Sequence, residues 1–128
     1  LIGHDGHKRF LPGQRCNDAE FAIGNSGINI YCEGYATGLA IREAVAALKV
    51  RAVIHICFSA GNLQRMAKTG IVVADNDKSG TGERVAIATG LPYYLPYAIG
   101  WDFNDEWQKI GTFLISQRLK KVLQFAKR

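Results

Sequence analysis

The chain has 128 residues, a mass of 14.1 kDa, a formal net charge of +5 and a pI near 9.3. Hydrophobic residues make up 48% and charged residues 21%, a composition that excludes a disordered chain and suits one folded domain that needs no disulfides or structural metal. No apolar run reaches the roughly 18 residues of a membrane span, no basic segment with an apolar core marks a secretory leader, and a start at Leu1 reads as a piece of a longer protein.

In chain order, residues 1–24 read as a small antiparallel β extension. Asp5-Gly6 favours a tight turn, residues 8–11 form its return strand, and Pro12-Gly13 ends that strand. Residues 21–23 are a second short strand, followed by a loop at Gly24-Asn25-Ser26-Gly27. From there strand and helix alternate. A strand over 28–32 ends at Glu33-Gly34, and a helix over 36–48 aligns Ala40, Ala44, Ala47 and Leu48 on one face. A strand over 52–58 and a short helix over 62–68 follow, then a strand over 71–74 that ends at Asp75-Asn76-Asp77. A helix over 82–89 stops at Gly90, and residues 93–95 begin a fourth strand between Pro92 and Pro96. The last segment, 112–127, carries Ile115, Leu119, Val122 and Ala126 at helical spacing. This pattern predicts an α/β fold: about four mostly parallel strands over a core at 25–111, flanked by helices, with a basic C-terminal helix at 112–128.

The charge is uneven. After Glu106 no acid occurs, while Lys109, Arg118, Lys120, Lys121, Lys127 and Arg128 follow. Such a stretch suits either a solvated helix face or contact with a phosphate backbone. Cys16, Cys32 and Cys57 are far apart and odd in number, which argues against a disulfide framework and for a reducing, cytoplasmic setting. Neither they nor His4, His7 and His55 complete a zinc spacing, so no structural zinc is expected.

In open α/β sheets ligands bind beyond the carboxyl ends of the strands. Glu33 ends the first core strand, and Asp75 and Asp77 end the third. Two crowded carboxylates repel unless a cation neutralises them, and hard oxygen ligands of this kind suit magnesium. A D-x-D also serves as a loop or helix N-cap, so for Asp77 both readings stand. Lys78-Ser79-Gly80 leads into the next helix, where small residues either let backbone N–H groups approach a phosphate or only shape a polar turn, and Lys78 and Arg84 are either phosphate contacts or solvated helix-end charges. The run is neither a P-loop nor a dinucleotide fingerprint. A second acidic cluster, Asp102-Phe103-Asn104-Asp105-Glu106, suits either the same end of the sheet or an N-cap box for a helix at 106–109.

The order Glu33-Gly34, then Asp75-Asn76-Asp77-Lys78-Ser79-Gly80, resembles the Toprim domain of bacterial-type primases, topoisomerases and some nucleases. Cys32-Glu33-Gly34-Tyr35-Ala36-Thr37-Gly38, Ser59-Ala60-Gly61-Asn62-Leu63, Ala74-Asp75-Asn76-Asp77 and Asp102-Phe103-Asn104-Asp105 together look like the Toprim domains of phage- and plasmid-type DNA primases, often fused to helicases. Asp5-Gly6-His7-Lys8-Arg9-Phe10-Leu11 looks like the segment that precedes the domain there, so the resemblance covers nearly the whole chain. One departure is Ser59, where these primases often carry an Asp.

The resemblance implies nucleotidyl transfer for primer synthesis, with magnesium or manganese. Glu33 would be the general acid/base or a metal ligand, Asp75 and Asp77 the metal pair, and Asp102 and Asp105 a further acidic motif. Its implied partners are a single-stranded DNA template, nucleoside triphosphates, and a helicase or zinc-binding domain elsewhere in the full-length chain; no membrane partner is expected. The rival readings are a Toprim-type metal-dependent nuclease and a metal-binding fragment inactive without its flanking domains. A receiver-like phosphoacceptor ranks last, because Tyr31-Cys32-Glu33 supplies one acid where that fold needs a pair.

Overall fold

The computed structural model describes residues 6–8 and 21–127. In chain order the elements are β1 (Gly6–Lys8), β2 (Phe21–Ile23), β3 (Ile28–Cys32), α1 (Tyr35–Leu48), β4 (Ala52–Ile56), α2 (Ala60–Met66), β5 (Ile71–Val73), α3 (Thr81–Thr89), β6 (Tyr93–Tyr94) and α4 (Phe103–Leu123). Four helices thus flank one mixed sheet in the order β1-β2-β4-β3-β5-β6. The four strands from β4 to β6 run parallel, and β1 and β2 extend the β4 edge antiparallel.

The strands are apolar on both faces because both faces are covered. Ile30, Cys32, Ile54, Ile56, Ile71 and Val73 meet α1 and α4 in the larger core. Tyr31, Cys57, Val72 and Ala74 point the other way, into a smaller core with Leu63 of α2 and Ala86 of α3. This is the period-two alternation of a strand. On α1 the small residues Gly38, Ala40 and Ala44 let the helix lie close to the sheet: a Cβ at Gly38 would stand 2.6 Å from the Ile56 side chain.

Two expectations are corrected. The sheet has six strands among the described residues, because the N-terminal piece joins it: Phe21, Ala22 and Ile23 pair with Ile56, His55 and Ile54. Gly6 is not a turn residue. It is extended in β1 and registers with Ile23, and this strand pairs with β2. Asp5, residues 9–11, Pro12-Gly13 and Cys16 lie outside the described residues.

The expected helix from residue 112 is the second of two stretches of α4 and ends at Leu123; the first starts at Phe103, three residues before the short helix expected at 106–109, and the two join at Gly111, whose φ of 85° breaks the regular backbone. Ile115 and Leu119 of the predicted stripe are fully buried, and Val122 and Ala126 pack at the edge of the same core. Cys32 and Cys57 are buried thiols; burial, reinforced by nearby Cys57, Asp75 and Glu33, pushes the Cys32 thiol well above its ordinary range. Among the described residues no helix is long and apolar enough to cross a membrane.

Candidate functional site

The chain order within the sheet creates a switch point. From β3 the chain crosses through α1 on one face to β4, then returns through α2 on the other face to β5, on the opposite side of β3. The two loops that leave the carboxyl ends of β3 and β5 diverge there. A crevice at such a position is where ligands bind in open α/β sheets.

Glu33 follows β3 directly, and Asp75 and Asp77 follow β5. All three are half-buried. Backbone contacts hold them in place. The Phe58 N–H donates to the Glu33 carbonyl at 2.9 Å, from a left-handed backbone with φ of 69° that a bulky residue seldom adopts. A Cβ at Gly82 would stand 2.4 Å from the Asp75 carbonyl oxygen, so only glycine lets the first turn of α3 press on this loop. Asp77 Oδ1 accepts from the Gly82 N–H at 3.4 Å, which makes it a loose partner of the α3 N-terminus as well.

Asn76, between the two acids, ties them to the segment before α4. Its Nδ2 donates to the Pro96 carbonyl at 2.8 Å, its N–H to the Trp101 carbonyl at 2.9 Å, and its own carbonyl accepts from the Gly100 N–H at 2.6 Å. This latch brings the second acidic cluster to the first. Asp102 and Asp105 form the capping box of α4: the Asp105 N–H donates to Asp102 Oδ1 at 2.7 Å, and the Asp102 N–H donates to Asp105 Oδ2 at 2.9 Å.

The electrostatics register the convergence. Asp75 is pushed from 3.8 up to about 6, first by burial, then by the charges of Glu33, Asp102, Asp77 and Asp105. Asp102 is also raised, burial being the largest cause. Among the described residues none of these five acids is in an ion pair. Nor do three His, Cys, Asp or Glu side chains converge there as a ready-made metal cage. One or two carboxylates completed by water and phosphate are the donor set that magnesium favours, and Glu33, Asp75 and Asp77 are the residues that could supply them.

The phosphate candidates lie in the loop before α3. Lys78 and Ser79 are exposed, and Gly80 adopts φ of 75° as the N-cap. Arg84 folds back onto this loop: Nη1 donates to the Ser79 carbonyl at 2.9 Å and Nη2 to Thr81 Oγ1 at 3.1 Å. Ser59 caps α2, its Oγ accepting from the Asn62 N–H at 3.1 Å, so the hydroxyl has a structural use where a carboxylate was noted as missing. A wider cleft of about 550 Å³ lies at the opposite, amino end of the strands, beside Asn29, Arg51 and Lys127; among the described residues no acid lines it.

A buried carboxylate network escaped the sequence reading. Glu106, within the predicted acidic cluster, is fully buried. It accepts from the Tyr94 hydroxyl, from the Tyr97 N–H at 2.8 Å and from Arg118 Nη1 at 2.9 Å. Arg118 is therefore not a free charge of the basic tail. The available signal was weak: a Glu between Asp105 and Trp107 in the first turn of a helix, with a basic residue about three turns later.

Comparison with known protein families, with curated proteins and with solved structures finds no match.

Proposed function

We propose that this chain is the Toprim catalytic domain of a DNA primase or primase-helicase, which carries out magnesium-dependent nucleotidyl transfer. The observation that carries the reading is the gathering of Glu33, Asp75 and Asp77 at the carboxyl ends of two adjacent parallel strands, on either side of the switch point. The motif order of the sequence supports it independently, because the same three residues carry the resemblance.

In this reading Asp75 and Asp77 hold the cation, with Asp102 and Asp105 adding negative potential from the α4 capping box. A bound magnesium or manganese ion would offset phosphate charge and lower the pKa of the attacking hydroxyl. Glu33 takes the proton as the primer 3′-oxygen forms its bond to the α-phosphorus of the incoming nucleoside triphosphate and the bond to pyrophosphate breaks. Lys78, exposed on the loop, would meet the triphosphate, while Arg84 fixes the shape of that loop. A single-stranded DNA template is the second substrate, and a helicase or zinc-binding domain in the same protein is the expected companion.

Primer synthesis on single-stranded DNA by the protein that contains this chain tests the proposal. Glu33→Gln is expected to lower primer yield at least about a hundredfold, the usual scale for losing a general base. An undiminished yield would overturn the role of Glu33. Metal-dependent cleavage of DNA with no use of nucleoside triphosphates would replace the primase with a nuclease.

A further inference from the structure

Tyr97 stands apart from the other exposed aromatic residues because it is both exposed and held. It is 62% exposed, on the segment between β6 and α4. Its N–H is bound by the buried Glu106 carboxylate at 2.8 Å. The Arg118 guanidinium lies 3.7 Å from the centre of its ring, and Arg118 is in turn fixed to Glu106 at 2.9 Å. One face of the ring is therefore covered by a cation that a fully buried acid holds in place. A surface tyrosine is ordinarily free to change rotamer; here its backbone and one ring face are both pinned.

The placement of this ring relative to the acids is equally defined. The carbonyl of the preceding residue, Pro96, accepts from the side chain of Asn76, which lies between Asp75 and Asp77. Beyond Glu106 the helix that supplies Arg118 has no acid and exposes Lys109, Lys120 and Lys121. An exposed ring, covered on one face by Arg118, thus belongs to the segment that joins the acidic loop to the helix bearing those lysines.

We propose that Tyr97 is a stacking platform for an unpaired nucleobase, whose phosphates run between the acidic site and the lysines of α4. This rests on the reading of the acidic site as a nucleotidyl-transfer centre. Aromatic rings in such positions bind bases of any sequence through their π-faces, and backbone phosphates follow the cations. A rigid ring loses little conformational entropy when a base settles on it. The base belongs either to the template strand or to the incoming nucleotide, which share this chemistry.

The test uses the chain as it is, in magnesium buffer, with two probes: fluorescein-labelled oligothymidylate followed by anisotropy, and thymidine triphosphate followed by equilibrium dialysis. Tyr97→Leu keeps apolar area and removes the π-face, and is expected to weaken one probe about tenfold, as loss of one base stack does. Tyr97→Phe is expected to retain the affinity. Weakening of the oligonucleotide assigns the platform to the template; weakening of the triphosphate alone assigns it to the incoming nucleotide. Equal binding by Tyr97→Leu and the unmodified chain would overturn the platform, as would failure of the unmodified chain to bind either probe. Retention by Tyr97→Leu with loss on Tyr97→Ala would also overturn it, in favour of an apolar contact with the probe that needs no π-face. Manganese binding, measured alongside, separates the two ideas. If it persists while the platform fails, the acidic site stands; if it is absent, the underlying reading has failed.

Discussion

Glu106 lies one helical turn beyond Asp102, yet the two carboxylates live in opposite surroundings. Glu106 is fully buried and answered by a guanidinium, a tyrosine hydroxyl and a backbone N–H. Glu33, Asp75, Asp77, Asp102 and Asp105 are at most partly buried, and among the described residues none has a cationic partner. Both groups are costly to assemble. In the first the chain supplies the compensating charge, and removing either partner leaves the other stranded. In the second no compensating cation comes from the described residues. A carboxylate neutralised internally serves the fold; the unanswered cluster, whose central Asp75 is pushed up first by burial and then by its neighbours' charges, is where the proposed function puts its cation.

The largest expected effect breaks the first region. Arg118→Met keeps the length of the side chain and removes its charge, leaving Glu106 buried and unpaired. Stability to urea should fall by about 3–5 kcal/mol. Manganese affinity should fall with it wherever the protein remains folded, because the Tyr97 and Pro96 segment that latches Asn76 loses its anchor. A loss under 1 kcal/mol, on the scale of an ordinary exposed pair, would mean that Glu106 is not buried as described.

Gly82→Ala should cost about 1–3 kcal/mol, the usual range for overpacking, because its Cβ would lie 2.4 Å from the Asp75 carbonyl. The two regions should then separate. Cation binding should weaken, since Asp75 must shift, while the Glu106 network stays intact. Ligand-free crystal coordinates of the variant showing an undisplaced Asp75 would contradict this.

Asp75→Asn should do the reverse of Arg118→Met. In the metal-free chain Asp75 holds its proton more tightly folded than unfolded. Its contribution to stability is complete below about pH 4 and is lost as the pH rises through about 6. Asp75→Asn should therefore stabilise the metal-free chain at pH 7 by about 1 kcal/mol, a value reduced for the partial exposure of the group. It should also flatten the decline in thermal stability between pH 4 and pH 6. Destabilisation at pH 7 would mean that the carboxylate is already neutralised by the fold.

Much of this contrast was legible beforehand, for a physical reason. Strands buried on both faces are written as continuous apolar runs, so β3, β4 and β5 could be placed, and the acids that follow β3 and β5 came with them. The helix stop at Gly90 and the break at Gly111 follow from the left-handed backbone that glycine tolerates. What escaped is what depends on distant partners. Asp-Gly at 5–6 favours a turn locally, but β2 offers Gly6 a strand partner, and pairing overrides the local preference. The early start of α2 follows from the Ser59 cap. The Glu106–Arg118 pair spans a helix break and depends on Tyr94 from strand β6, so no spacing rule points to it. Asn76 sat unremarked between two acids because its role lies in a loop twenty residues later.

The central claim is that the five acids around Asp75 await a cation. Isothermal titration of manganese into the chain, beside the Asp75→Asn, Asp77→Asn double variant, tests it most directly. The account predicts saturable binding by the unmodified chain and none by the double variant while its fold is retained. Equal binding by both, or none by the unmodified chain, would contradict it.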